Sequence, residues 1–481
     1  MKDIFDNLLL MTDSYKVSHK NGYKKGLKKL QSYLEARGGK YQKAVFFGLQ
    51  YFLKRYFVGN EVITLAKIDQ AQAFWEAHFG RKDVFPRDAW LSLLEKHKGA
   101  LPIRIRAVPE GTVVPIKNVL MTIENTDAGE FPWLVNYLET VLMQVWYPIT
   151  IATQQYETRN SVAAFLKRTG DPAGISFKVH DFGYRGVSCP EQAAIGDASH
   201  LVFFMGTDTV AGISLLQNYY GAGMCGFSIP ATEHSIMCSF GREHEIEACR
   251  NWLNQYPDGL IACVSDTYDI YNACANIWGG VLKEQVMARN GTLVIRPDSG
   301  DYFEVVPKVL EILWEKFGGT TNAKGFRILD SHVRVIQGDG MDPESIVALY
   351  SKLEQLGWSA DNLAVGSGGG LLMKVNRDTM KFAIKACAAL VDDKWIDIWK
   401  DPITDSGKKS KTGRLELVVV RGAHGGAFDT VREEHVAELE ETAKQPDINF
   451  KIERMLVTVF EDGKLLQDYT LDDVKRNAGV I

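Results

Sequence analysis

Three glycine-bearing loops hold most of the residues in this chain that could handle an anion. They are Ile295-Arg-Pro-Asp-Ser-Gly300, Gln337-Gly-Asp-Gly340 and Gly366-Ser-Gly-Gly-Gly370. Glycines allow backbone N–H groups to approach a phosphate closely, and Asp298 and Asp339 can accept hydrogen bonds from sugar hydroxyls or hold a hydrated Mg2+. Arg185 and Arg296 add forked donors that match phosphate geometry. Each arginine could instead pair with a neighbouring aspartate and do nothing more. Together with the three loops, they point to a phosphosugar site.

Each loop follows a short apolar, β-branched run, and the first two precede helical patterns, which is the grammar of parallel βα units. From about residue 175 that grammar repeats. The runs end at His180-Asp-Phe-Gly, Gly206-Thr-Asp208, Ser228-Ile-Pro230, Val264-Ser-Asp266, Arg296-Pro-Asp298, Gly338-Asp-Gly340 and Gly366-Ser-Gly368. About seven units predict an irregular parallel α/β barrel, whose chemistry collects at the C-terminal ends of its strands. The residues there include Asp181, Phe182, Tyr184, Arg185, Asp208, His234, Ser265, Asp266 and Asp269. They include no lysine for a Schiff base, and no His-x-His or His-Glu-x-x-His spacing for a zinc hydrolase. His234 follows Glu233 at the start of a helical pattern. A lone histidine is commonly structural, yet a helix start suits an imidazole that must briefly carry a phosphoryl group.

The flanks read differently. A strand is predicted over 30–37, a buried helix over 45–57, and alternating strands over 103–106 and 112–125. Two helical patterns, 131–147 and 151–167, are separated by Pro148. Strands return over 381–391, 395–399 and 415–421, with a hairpin over 456–466 at Asp462-Gly463. The fold class predicted is therefore α/β: residues 169–380 form a barrel inserted in a discontinuous α+β domain built from 1–168 and 381–481.

The 481 residues carry 55 basic and 60 acidic side chains, a net charge of −5 that gives no sign of a nucleic-acid or membrane surface. The apolar run at 8–11 is too short for a signal-peptide core or a membrane span, so a cytoplasmic protein is expected. Seven cysteines, with no Cys-x-x-Cys, read as reduced thiols.

The motifs also resemble a known family. His180-Asp-Phe-Gly-Tyr-Arg-Gly186, Gly206-Thr-Asp-Thr209, Pro230-Ala-Thr-Glu-His-Ser235, Val264-Ser-Asp-Thr-Tyr-Asp-Ile-Tyr-Asn272 and the three anion loops are closely similar to those of the nicotinamide phosphoribosyltransferases, among the type II phosphoribosyltransferases. Thr12-Asp-Ser-Tyr-Lys16 and Lys400-Asp-Pro402 extend the likeness over essentially the whole chain.

The resemblance implies a homodimeric pentosyltransferase of NAD salvage. It would join nicotinamide to phosphoribosyl pyrophosphate (PRPP), with Mg2+, and with ATP as co-substrate. It implies that Phe182 stacks on the pyridine ring opposite Tyr15 of the second subunit, and that Arg296 and Asp208 address the carboxamide. Asp298, Gly338, Asp339, Gly368 and Gly369 would surround the ribose and its phosphate. Arg185, Arg377, Lys385, Arg37 and Lys408 would meet the pyrophosphate. His234 would be the phosphorylated histidine, oriented by Glu233, Ser265 and Asp269. No protein cage for the metal is implied, since PRPP and pyrophosphate would hold most of it. The chain departs from the family in the short Gly38-Gly39 after Arg37 and in Phe177, where tyrosine is frequent. A nicotinate phosphoribosyltransferase and a non-catalytic phosphosugar-binding protein remain the alternatives. Asp208 separates the first from the nicotinamide enzyme, because an acid there repels a carboxylate substrate.

Overall fold

The computed structural model describes residues 6–338, 340–404, 409–422, 425–445 and 450–481. It divides into two units. One comprises Met1–Thr153, Tyr219–Gly221 and Asn376–Ile481; the other comprises Gln154–Asn218 and Ala222–Val375.

The first unit is built on a seven-stranded sheet in the order Lys394–Asp397, Phe382–Val391, Leu27–Ala36, Val119–Asn125, Ile103–Ala107, Val457–Glu461, Lys464–Leu465. Every pairing in it is antiparallel. Alternation decides the faces: Ile103, Ile105 and Ala107 are buried, while Arg104 reaches Glu124 and Glu461. The Asp462-Gly463 turn is a hairpin with both residues at positive φ, 48° and 82°. A three-stranded antiparallel sheet, Gly425–Arg432, Leu415–Gly422 and Phe450–Arg454, completes the unit.

Two local expectations change. Residues 45–57 are not one helix: Lys43–Val45 is a strand, and the helical run begins at Leu49. The buried Glu110 carboxylate starts it, accepting the N–H groups of Gly48 at 3.1 Å and Gln50 at 2.6 Å. Pro148 does not separate two helices either. It lies in the first turn of Trp146–Thr169, where a missing N–H costs nothing.

The second unit is the barrel. Its strands are β1 (Val179–Asp181), β2 (Gly206–Thr207), β3 (Ile261–Val264), β4 (Leu293–Arg296), β5 (Val333–Gln337) and β6 (Leu363–Ser367). They run parallel in the order β2-β1-β6-β5-β4-β3. The remaining gap, between β3 and β2, is spanned by residues 227–232. Single parallel bridges join Ala231 to Ala262 and Gly206 to Phe227. Four backbone bonds of 2.8 to 3.2 Å accompany them: Ala262 N to Pro230 O, Thr232 N to Ala262 O, Thr207 N to Phe227 O and Phe227 N to Met205 O. Six strands and this seam give the seven positions expected from the repeated βα pattern. Ala262, Val294 and Ile336 meet in the interior, with Phe182, Ile229 and Ala364 packed against them.

Candidate active site

The candidate side chains of the second unit stand where the barrel strands stop. At the end of β1, Asp181 Oδ1 accepts the Gly183 N–H at 2.6 Å, a turn that ends the strand, while Phe182 N donates to Ser367 O at 2.9 Å. The Phe182 ring therefore lies against β6, over Gly366. A Cβ at 366 would stand 2.0 Å from that ring, so only glycine leaves it room. Gly366→Ala is expected to displace Phe182 and raise the KM for any ring stacked on it about tenfold, the loss of ~1.4 kcal/mol of aromatic contact. If the displacement is the cause, Gly366→Ala added to Phe182→Ala has little further effect, which steady-state kinetics of the three variants would show.

Beside the ring stands an ion pair. Arg296, ending β4, directs Nε (3.1 Å) and Nη2 (2.7 Å) at Asp298 Oδ1. Its guanidinium carbon is 5.5 Å from the centroid of the Phe182 ring. Gly338, after β5, makes room for the pair, since a Cβ there would come within 2.4 Å of Arg296 Nε.

Two clefts meet at these residues. One, of about 300 Å3, is lined by Phe182, Arg185, Arg296, Asp298, Gly338 and the glycines 368–370. The other, of about 500 Å3, shares Phe182, Arg185, Arg296 and Asp298 and extends past Asp208 to His234. Asp208 projects from the loop after β2, its carboxylate accepting the Ser228 hydroxyl across the barrel seam. The basic and glycine-rich cleft suits a phosphosugar, and the aromatic one a flat ring.

His234 opens the short helix His234–Cys238, and Glu233 before it accepts the Ser235 hydroxyl. The carboxylate on the imidazole is that of Asp266, 3.1 Å from Nε2. Asp266 Oδ2 also accepts the Asp298 N–H at 3.0 Å and the Ser299 hydroxyl. One acid thus ties His234 to the Arg296–Asp298 loop.

This arrangement differs from the sequence expectation. Ser265 is buried and occupied by Cys263 O (2.9 Å) and Trp278 Nε1 (3.1 Å). Asp269 caps the next helix through the Tyr271 and Asn272 N–H groups. Asp266, a strand-end residue, is the one whose role the motif reading missed. An odd-even count along the strand could have found it: β3 is buried on both faces to its end, so the first polar residues beyond it take opposite sides, Ser265 toward Trp278 and Asp266 toward His234.

The remaining expected residues lie in the first unit or outside the described residues. Tyr15 is 59% exposed, its ring 5.1 Å from that of His19 and 5.7 Å from Lys16 Nζ. Arg37 Nε donates to Lys381 O at 3.4 Å. Lys385 is pushed below the usual lysine range, chiefly by burial; Glu139 opposes that shift, while Arg37, Lys400 and Arg377 reinforce it. This cluster of like charges would gain from an anion. Asp339 and Lys408 fall outside the described residues. Among the described residues, no group of three or more His, Cys, Asp or Glu side chains is placed to hold a metal ion.

Comparison with known proteins follows the same lines. A family model described as Nicotinamide phosphoribosyltransferase, N-terminal domain, matches residues 7–105. One described as the Nicotinate phosphoribosyltransferase (NAPRTase) family matches residues 177–453. A nicotinamide phosphoribosyltransferase from Xanthomonas campestris pv. campestris is 48% identical over 477 residues, 98% of each chain. Two solved structures share the fold at 15% identity. The nicotinate-nucleotide pyrophosphorylase of Pyrococcus furiosus has a TM-score of 0.59, covering 99% of this chain and 96% of that one. Human nicotinic acid phosphoribosyltransferase has a TM-score of 0.55, covering 98% and 93%. A match that runs through both units at nearly half identity leaves one assignment: the chain belongs to the nicotinate phosphoribosyltransferase family, among its nicotinamide phosphoribosyltransferases.

Proposed function

We propose that the protein transfers the phosphoribosyl group of PRPP to nicotinamide, giving nicotinamide mononucleotide and pyrophosphate, in NAD salvage. The observation that carries this reading is the meeting of the two clefts at Phe182, Arg296 and Asp298. A ring platform in one cleft and a sugar-phosphate cradle in the other would share these residues, and a bond between ring and sugar would form beside them. The pyridine nitrogen attacks the anomeric carbon as that carbon's bond to pyrophosphate breaks, and the electron pair leaves on pyrophosphate. The residues need only fix the ring nitrogen, hold the ribose and meet the leaving charge. Asp298 spends one oxygen on Arg296, which leaves Oδ2 for the ribose hydroxyls. Mg2+ would be carried mainly by the phosphates and would neutralise leaving-group charge, and Asp298, which lines the phosphosugar cleft, could help to hold it.

ATP enters through His234. With Nε2–H donated to Asp266, the lone pair on Nδ1 is the nucleophile for the γ-phosphorus; the bond to ADP breaks and ADP leaves. A homodimer would bring Tyr15 to the free face of the ring, and Arg37, Arg377, Lys385 and Lys408 to the pyrophosphate, from the second copy. Among the described residues no helix is long and apolar enough to cross a membrane; we place the enzyme in the cytoplasm, where ATP and PRPP are made.

Mass spectrometry of products from PRPP and Mg2+, with nicotinamide or nicotinic acid and with or without ATP, tests the reading. Nicotinamide mononucleotide formed preferentially and stimulated by ATP is the expected result. Preference for nicotinic acid would overturn the substrate, and no turnover with either would overturn catalysis.

A further inference from the structure

Two carboxyls, one of them next to Phe182 in the chain, are buried around Thr207, which pairs with Asp181 across the strands and donates its hydroxyl to Asp197. Asp181 ends β1, and Asp197 lies in the helix Pro190–Leu201. Neither has any exposed surface. Asp181 Oδ1 takes the Gly183 N–H at 2.6 Å, and Asp197 Oδ1 takes the Thr207 hydroxyl at 2.8 Å. The other oxygen of each, Oδ2 in both, is enclosed with no hydrogen-bond partner, as is the Thr209 hydroxyl. Gly212 closes the space from the helix Val210–Tyr220: a Cβ there would stand 2.2 Å from Asp197 Oδ2.

Two ionised carboxylates sealed together would each leave an oxygen bare and repel one another. One proton between them removes both faults, because an O–H on one oxygen donates to the other. The groups around the pair supply no countercharge. Thr207, Thr209 and Gly212 are neutral, and Asp208 adds a further negative field that bears on both acids. His200, further along the Asp197 helix, is held neutral, pushed down to about 3 by burial, and His180 is also pushed down by burial. Burial raises both acids, and the charge of each opposes ionisation of the other, so the pair as a unit holds on to a proton.

We infer that Asp181 and Asp197 share one proton, and that this acid–carboxylate pair positions the pyridine end of the site. The inference rests on the reading that Phe182 and Asp208 flank the substrate ring. Asp181 holds both of them: its Oδ1 fixes the turn carrying Phe182, and its carbonyl oxygen accepts the Asp208 N–H at 2.9 Å. Asp197 holds the far side of Asp208 through Thr207, whose Oγ1 accepts the Thr209 N–H at 2.8 Å. Loss of the shared proton puts two charges in a dry space and pushes this scaffold apart.

Two measurements on the intact protein test the pair. Infrared difference spectra in H2O and D2O should show a protonated carboxyl C=O band in the native protein that is missing in Asp197→Asn. In kinetics, Asp197→Asn keeps a donor for Asp181 and an acceptor for Thr207, so its KM for nicotinamide should stay within about twofold of native. Asp197→Leu keeps the bulk and loses both, and should raise that KM about tenfold with little change in kcat. Native KM should climb at alkaline pH, and that of Asp197→Asn should stay flat. Absence of the carboxyl band, or an Asp197→Asn enzyme with a native alkaline limb, overturns the shared proton, even if Asp197→Leu does not fold. A band present in a protein that does not turn over nicotinamide would overturn the functional reading and the positioning role with it.

Discussion

Replacing Asp208 with asparagine should raise kcat/KM for nicotinic acid relative to nicotinamide by at least about tenfold, or ~1.4 kcal/mol. Asp208 is exposed in the free protein, so the full cost of a sealed like-charge pair does not apply, and the figure is set at its lower end. Asparagine keeps an oxygen for the Ser228 hydroxyl, and so leaves the seam contact in place. What changes is the face toward the ring. A carboxylate accepts from a carboxamide N–H2 and repels a carboxylate, whereas an amide can donate to either. Competition between the two substrates, with products separated by mass, measures the ratio directly. An unchanged ratio would remove Asp208 from substrate selection and leave it a seam residue.

The second large effect concerns ATP. His234→Ala should abolish ATP stimulation and acid-labile labelling by radioactive ATP while basal transfer continues. Asp266→Ala should also lose the stimulation, and should lower basal turnover by about tenfold as well, because its Oδ2 holds the Asp298 N–H beside the proposed ribose site. That difference separates a residue serving the phosphoryl step alone from one serving both. Stimulation that survives in His234→Ala would remove the phosphohistidine.

Much of this was legible in residue patterns, for identifiable reasons. The barrel could be read because parallel strands are buried on both faces and write themselves as apolar runs, each ended by a polar loop. Leu27–Ala36 and Phe382–Val391 could be read from the turn residues that bound them, Gly26 and Gly38-Gly39 on the first and Asp392-Asp393 after the second, and the Asp462-Gly463 hairpin because its turn demands positive φ. Pairings around the ring were not legible. Asp266 meets His234 because two strand ends are neighbours in a closed barrel, a relation that spacing along the chain does not encode. Asp181 and Asp197 meet because a helix returns onto its own strand, and in sequence Asp197 is one of two acids in a helix that also carries Gln192, Ser199 and His200. The helix start at Leu49 depends on Glu110, a capping group supplied from a turn far along the chain.

The central position of Leu27–Ala36 in its sheet has a consequence for biosynthesis. One edge of that strand pairs with Val119–Asn125, made soon afterwards, but the other pairs with Phe382–Val391, made only after the whole barrel. During translation the barrel has every strand it needs before the first sheet does, and the nascent amino-terminal strands wait with an unpaired apolar edge. Most of this protein is therefore synthesised while Leu27–Ala36 still waits for its second partner, and chains cut short before residue 382 should be insoluble even though their barrels are complete.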